Sequence, residues 1–219
     1  IFIELPETAE GSIAEEAVEV LGAVRHDALA IGPGLTRDPS TVRFVERMTA
    51  GSEVPVLLDA DGINAFEGRF ADIVRYSVDR PIVLTPHSGE LARLTGRDMP
   101  PLPVQRMDVL SGLVEGTGLT LIHKGATTVI AHPSGRIDIN MLGHPGLATA
   151  GTGDVLTGTT AGILAQTKDP ASAARLGVYL HSRAADHAAM ETGERGMTAG
   201  DCSRAIPLAL KEIEELVEI

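Results

Sequence analysis

Cysteine occurs once in the 219 residues, at Cys202, so the chain can form neither an internal disulfide nor a multi-cysteine metal site. That scarcity fits a reducing compartment, and we expect a cytoplasmic protein with Cys202 as a packed thiol near a helix start. Basic residues are also short: 18 Lys and Arg face 30 Asp and Glu, a net charge of -12. This argues against a general affinity for nucleic acid, and any anionic ligand must be held by local groups against the field of the whole chain. No apolar run approaches the ~20 residues that span a bilayer, and no signal-peptide layout opens the sequence, so no membrane partner is expected. Repeats, linkers and low-complexity stretches are missing. So is the Walker pattern of glycines followed by Lys-Ser/Thr, which argues against a P-loop enzyme. What is present is 43% hydrophobic residues in a chain of single-domain size, enough to bury a core without staples.

Short apolar runs alternate with helical patterns. Ile1-Leu5 reads as an opening strand and Glu7 to Val24 as an amphipathic helix. Asp27-Ile31 is a strand running into Gly32-Pro33-Gly34, with Thr36 to Met48 as the returning helix. Val54-Leu58 and Ile82-Leu84 repeat the cycle, the latter followed by a helix at Leu91-Leu94. Val104 to Glu115 is a further helix with Leu110, Leu113 and Val114 as its buried stripe, leading to the strand Leu119-His123. Thr128-Ala131 and Arg136-Asn140, parted by Pro133-Ser134-Gly135, form a hairpin. Val155 to Gln166, Ala171 to Met190 and Ser203 to Val217 are helical. The alternation predicts an α/β fold: a mostly parallel central sheet with helices on both faces.

Polar clusters follow the C-terminal ends of the predicted strands, the edge where open α/β sheets bind ligands. Gly32-Pro33-Gly34, Asp59/Asp61/Asn64, His87/Glu90, Lys124-Gly125-Ala126-Thr127-Thr128 and the loop Gly143 to Asp154 would share that rim. The last runs through Gly151 and Gly153 straight into an apolar helix, the layout of an anion cradle, with Asp154 placed as a base. Each cluster also has a plainer reading. Asp154 could serve helix stability alone, Asp59 and Asp61 could cap the next helix, and Thr85 to Glu90 could be a capping arrangement satisfying its own helix end. Lys124 after a buried strand calls for an anionic partner. His26, His132, His181 and His187 read as surface or helix-packing residues without a role, while His123 and His144 are ambiguous. No His/Cys/Asp spacing makes a protein-only metal site, although a magnesium ion carried on nucleotide phosphates needs only one or two carboxylates. A cradle, a carboxylate, a lysine and further acids suit phosphoryl transfer from a nucleotide.

Leu58-Asp59-Ala60-Asp61-Gly62-Ile63-Asn64, Leu84-Thr85-Pro86-His87-Ser88-Gly89-Glu90, Lys124 to Thr128 and the loop ending at Asp154 resemble, in order and spacing, the ADP/ATP-dependent NAD(P)H-hydrate dehydratase family of the ribokinase-like superfamily. Gly32-Pro33-Gly34-Leu35 matches that family's early glycine turn. The resemblance implies a ribokinase-like three-layer sandwich. It also implies a repair activity, in which ADP or ATP, with Mg2+, phosphorylates the ring hydroxyl of (6S)-hydrated NADH or NADPH (NADHX, NADPHX) and loss of phosphate restores the dihydronicotinamide. By position, Asp154 would be the base, with Gly34, His87 and Asp154 touching the hydrated dinucleotide. Lys124, Gly125, Ala126, Thr127, Thr128, Gly151 and Gly153 would hold the adenine nucleotide, with Asp59, Asp61, Asn64 and Glu90 in support and Glu90 near phosphate-bound magnesium. A homo-oligomer, specifically a tetramer, is implied as well. Two other activities fit the same residues: a small-molecule kinase of the superfamily, acting on a vitamin precursor or sugar, and a non-catalytic nucleotide-binding domain. Ser88 stands where the family usually has proline, His144 where asparagine is common, and Ala150 and Thr152 where glycine and methionine are frequent. Members typically begin with a further strand, glycine-rich turn and helix, so residues 1-219 are expected to be one such domain lacking its N-terminal segment.

Overall fold

The structure, a computed structural model, describes residues 1-217. Among these, six strands form one sheet in the order β1-β2-β3-β4-β5-β6. Strands β1 (Leu29–Ile31), β2 (Val56–Leu58), β3 (Ile82–Leu84) and β4 (Leu119–His123) are mutually parallel. β5 (Thr128–Ala131) and β6 (Ile137–Asn140) continue antiparallel. β2, β3 and β4 are three to five apolar-rich residues buried on both faces, as expected when helices cover both sides, whereas β1, at the edge of the sheet, buries only Ile31.

The period of two sorts each strand between two cores. Val56, Leu58, Ile82, Leu84, Leu119 and Leu121 face α2 (Pro39–Gly51), α4 (Phe70–Tyr76), α5 (Ser88–Thr95) and α6 (Pro103–Val114), through Phe44, Ile73, Leu91 and Leu110 among others. Leu57, Val83, Ile122 and Ile130 face α7 (Thr152–Thr167) and α8 (Pro170–Thr192), through Leu156, Leu164, Ala174 and Val178. Behind α8 lies α9 (Ala199–Val217), packed by Ala184, Ala188, Met197, Cys202 and Ala209. The small residues let α8 and α9 approach closely. Cys202 is fully buried, and desolvation pushes its thiol up to about 11, so it is an inert packing group. No helix among the described residues is long and apolar enough to cross a membrane.

The sequence reading and the structure part at the N-terminus. Residues 1-6 form no strand, and Ile1 and Phe2 are fully exposed. Hydrophobic character alone does not make a strand where no neighbour accepts its hydrogen bonds. The helix expected from Glu7 shrinks to α1 (Ala17–Gly22), because Glu7 to Ile13 is a tight turn in which the Thr8 N–H donates to the Ser12 carbonyl at 2.7 Å. α4 and the single-turn α3 (Asp61–Asn64) fill the stretch between β2 and β3, where a following helix was expected without stated bounds.

Candidate active site at the sheet rim

Parallel register puts the ends of the strands at one height. Ile31 pairs with Leu58, Leu58 with Leu84 and Leu84 with Leu121, so the next residues of each strand emerge along a common edge. An isolated bridge between His87 and Lys124 extends that edge. Asp59, His87, Glu90 and Lys124, scattered over 66 positions of sequence, thereby become neighbours.

Their centre is an ion-pair cluster. Lys124 Nζ donates to Asp59 Oδ1 at 2.7 Å and stands 3.7 Å from Glu90 Oε2. Asp59 is 1% exposed and Glu90 6%, so two desolvated carboxylates share one ammonium, which is itself only partly covered. The second oxygen of Asp59 accepts from the Thr157 hydroxyl at 2.7 Å. Thr157 lies on α7 three residues beyond Asp154, so this bond ties the start of that helix to the end of β2. The helix-capping reading fails for Asp59: its oxygens go to Lys124 and Thr157, and the residue before α3 is Ala60, without a side-chain cap. Ala60 holds φ 46° and ψ -117°, a sparsely populated conformation for a residue with a Cβ. That turn sends the Asp59 side chain inward, while Asp61 accepts from the Thr36 N–H at 3.0 Å and from Asn64 Nδ2 at 3.2 Å. Asp61 and Asn64 thus brace the loop that follows Gly34 and do not reach Lys124. Gly32 is required beside them, since a Cβ there would lie 1.7 Å from the Asp59 carbonyl oxygen.

For His87 and Glu90 the capping reading is correct and coexists with a place at the site. His87 Nδ1 accepts from the Gly89 and Glu90 N–H groups, and Glu90 Oε2 accepts from the His87 N–H at 2.8 Å. Glu90 Oε1 is 3.3 Å from His87 Nε2. Ser88 contributes a contact that proline could not make, its hydroxyl lying 3.1 Å from Nε2 of buried His123. Burial, with the charges of Arg106 and His87, lowers the His123 imidazole to about 4 and keeps it neutral.

The loop before α7 forms the other wall. A short 3-10 turn at Pro145–Ala148 is capped by His144, whose Nδ1 accepts from the Gly146 N–H. Gly151 takes φ 89° to turn the chain into α7, and no side chain caps that helix start. Among the described residues the Gly153 N–H has no protein acceptor, and a Cβ at Gly153 would stand 3.7 Å from Lys124 Nζ. An N–H without a partner at a helix start beside an ammonium suits an anion. Asp154, in the first turn, is exposed and makes no hydrogen bond through its carboxylate to another described residue.

A cleft of about 750 Å³ opens between this loop, α8 and the Lys124 segment. Lys124, Gly125, Ala126, Thr128, His87 and Gly153 line it. Gly34, Thr127, Asp154, Asp59, Asp61, Asn64, Glu90 and Gly151 do not, although Gly151 and Asp154 bracket the lining pair Thr152-Gly153 in the chain. Leu142, Val178, His181 and Ser182 were not anticipated; with Leu147 and Leu156 of the loop and helix start they give the wall a largely apolar lining. His181, expected to be without a role, is 8% exposed and its Nε2 donates to the Thr152 carbonyl at 2.8 Å. Its place on the inner face of α8 beside Val178 and Leu180 was the one available signal. Among the described residues no three His, Cys, Asp or Glu side chains cluster as metal ligands.

The profile of the NAD(P)H-hydrate dehydratase family matches residues 4-208. A bifunctional NAD(P)H-hydrate repair enzyme of Moorella thermoacetica is 43% identical over 219 residues, spanning 99% of this chain and 41% of that protein. An ADP-dependent (S)-NAD(P)H-hydrate dehydratase of Xanthomonas campestris is 33% identical, over 83% of this chain and 60% of its own length. Among solved structures, the ADP/ATP-dependent NAD(P)H-hydrate dehydratase of Bacillus subtilis co-crystallized with ATP/Mg2+ superposes with a TM-score of 0.74 at 32% identity, covering 87% of this chain and 66% of that one. The chain therefore spans about two fifths of the length of the bifunctional relative and about two thirds of the solved structure.

Proposed function

Because the chain belongs to the NAD(P)H-hydrate dehydratase family, with its ribokinase-like fold, we propose that it dehydrates (6S)-NAD(P)H hydrate back to NAD(P)H at the expense of ADP or ATP. The observation that carries this reading is the meeting, at one rim, of an unpartnered Gly153 N–H, the Lys124 ammonium and the mouth of a nucleotide-sized cleft, with exposed Asp154 at the boundary.

The adenine nucleotide lies in the cleft, its apolar base against Leu142, Leu147 and Val178 and its terminal phosphates at Lys124 and the start of α7. Gly125, Ala126, Thr127 and Thr128 follow the phosphates and Gly151 shapes the turn. The hydrated dinucleotide approaches from the other side of Asp154, along the edge marked by Gly34 and His87. Asp154 takes the proton of the ring hydroxyl, and the oxygen attacks the terminal phosphorus as the bond to the nucleotide's bridging oxygen breaks. The N–H of Gly153 and the ammonium of Lys124 hold the transferring group's charge. Phosphate then leaves the ring carbon with the C–O bonding pair, and an adjacent ring C–H loses its proton to water, its bonding pair forming the restored double bond. The products are NAD(P)H, inorganic phosphate and the shortened nucleotide.

The residues fit a nucleotide-borne magnesium ion. The rim carries two buried carboxylates against one ammonium, an excess of negative charge where phosphates must bind, and a hard divalent cation needs only one or two protein oxygens beside phosphate and water. Glu90 is the residue that would hold it, and when bound it supplies charge neutralisation. Asp59, Asp61 and Asn64 support the rim from behind. A cytoplasmic address accords with the single buried cysteine, and homo-oligomerisation, as a tetramer, with the exposed Ile139 and Met141 at the β6 edge of the sheet.

The test is to incubate the chain with hydrated NADH and ADP or ATP and follow the absorbance of dihydronicotinamide. Recovery dependent on both is expected. Nucleotide turnover on another alcohol with no recovery would refute the dehydratase and leave a kinase.

A further inference from the structure

His181 is set up in an unusual way for a buried histidine. It sits on the cleft face of α8, and its Nε2 is committed as a donor, because the Thr152 carbonyl at 2.8 Å can only accept. In the neutral ring that commitment leaves Nδ1 with a lone pair and no proton. Nδ1 has no protein partner among the described residues. It is also not one of the sealed polar atoms that lack a partner, which are Arg80 Nε, His132 Nδ1, Thr160 Oγ1 and His187 Nε2. Nδ1 therefore keeps some exposed surface, on a side chain that forms part of the cleft wall. Burial and the nearby charge of Lys124 lower the imidazole to about 4, so the neutral tautomer persists through the physiological range.

We propose that His181 is a specificity-determining residue of the nucleotide cleft: its Nδ1 accepts a hydrogen bond from a donor on the bound nucleotide, an exocyclic amine or a ribose hydroxyl. The inference rests on the cleft being the nucleotide site. An acceptor fixed in a largely apolar wall discriminates more by rejection than by attraction, because a ligand without the donor leaves the lone pair desolvated and unpaired. The same ring, through Thr152, leans on the first turn of α7 two residues before Asp154, so the nucleotide and that turn share one rigid support.

The experiment measures binding directly, by calorimetry on the intact chain, and does not depend on dehydration. The ligands are ADP, inosine diphosphate, 2′-deoxy-ADP and 3′-deoxy-ADP, and the proteins are wild type, His181→Gln and His181→Asn. Gln keeps a donor near the position of Nε2 and loses the cleft acceptor, whereas Asn keeps an acceptor near the position of Nδ1 and loses the anchor to Thr152. For wild type, ADP should bind roughly 3- to 10-fold more tightly than the one analogue lacking the relevant donor. The inosine analogue identifies the amine and the deoxy analogues a hydroxyl. In His181→Gln that preference should vanish, and in His181→Asn it should persist. Preference retained in His181→Gln, or no preference among the four ligands in wild type, overturns the proposal while leaving the nucleotide site intact. Failure of wild type to bind ADP at all overturns the site assignment with it.

Discussion

Thr157→Val isolates the bond that joins α7 to the sheet. Valine matches threonine in shape, so the substitution leaves no cavity at a residue 4% exposed and removes only the hydroxyl that donates to Asp59 Oδ2 at 2.7 Å. The acceptor is a carboxylate 1% exposed, shielded from bulk solvent. A hydrogen bond to a charged group contributes about 1.5–3 kcal/mol, and a desolvated carboxylate oxygen left without it sits at the upper end of that range. For a domain of this size that is roughly 3–12 °C in melting temperature. Thr157→Ser keeps the donor and should recover most of the loss. Lys124→Ala should cost more, about 3–5 kcal/mol, because it strips the counter-charge from Asp59 and Glu90 together. Urea unfolding at neutral pH reads all three variants on one scale. Thr157→Val as stable as wild type to within 0.5 kcal/mol, or Thr157→Ser no better than valine, would mean that Asp59 is satisfied by lysine alone and that the α7 link carries no free energy.

Other consequences are open to measurement. Asp154→Asn should lower the dehydration rate by about 10²- to 10⁴-fold while leaving the melting temperature and ADP affinity near wild type, since its carboxylate is exposed and without a protein partner; a fully active variant would remove Asp154 as the base. Gly32→Ala should destabilise by about 1–3 kcal/mol or more, because its Cβ meets the Asp59 carbonyl oxygen at 1.7 Å, and a neutral result in thermal melts would contradict the pinch between these loops. His123 and His181 are lowered from 6.5 to about 4 on folding, so between those values the unfolded chain binds more protons. Stability from both is complete above pH 6.5 and declines as pH falls toward 4, by at most about 1.4 kcal/mol per pH unit from each. Unfolding free energies flat between pH 7 and 5 would show that the rings are not held neutral.

The layered architecture could be read from local pattern. Ile82-Leu84 and Leu119-His123 are strands to the residue, the hairpin at Pro133-Gly135 pairs as anticipated, and the three C-terminal helices run within a few residues of their expected bounds. Burial on both faces makes such runs apolar throughout, and helices of 16 to 23 residues carry many repeats of their period. The opening segment misled because Ile1-Leu5 has the composition of a strand and lacks a pairing neighbour in the structure. α4 was not delimited because seven residues hold too few turns for periodicity to register.

For the site, the chemistry-bearing residues were visible in one dimension and their partners were not. Gly-rich turns, an aspartate ahead of an apolar helix and a lysine at a strand end announce themselves, because each departs from what a core or a surface requires. Nothing local says that Lys124 answers to Asp59 across 65 positions, that Asp59 takes a second bond from Thr157 across 98, or that His181 on a distant helix walls the cleft. Strand register and the packing of α7 and α8 against the sheet decided those pairings. The sequence by itself determined which residue types lie at the strand ends and the period of each element, since these follow from local sterics and hydrophobic spacing. Only the tertiary structure decided which carboxylates share the ammonium and which atom of a buried histidine remains open, since both depend on where water has been excluded.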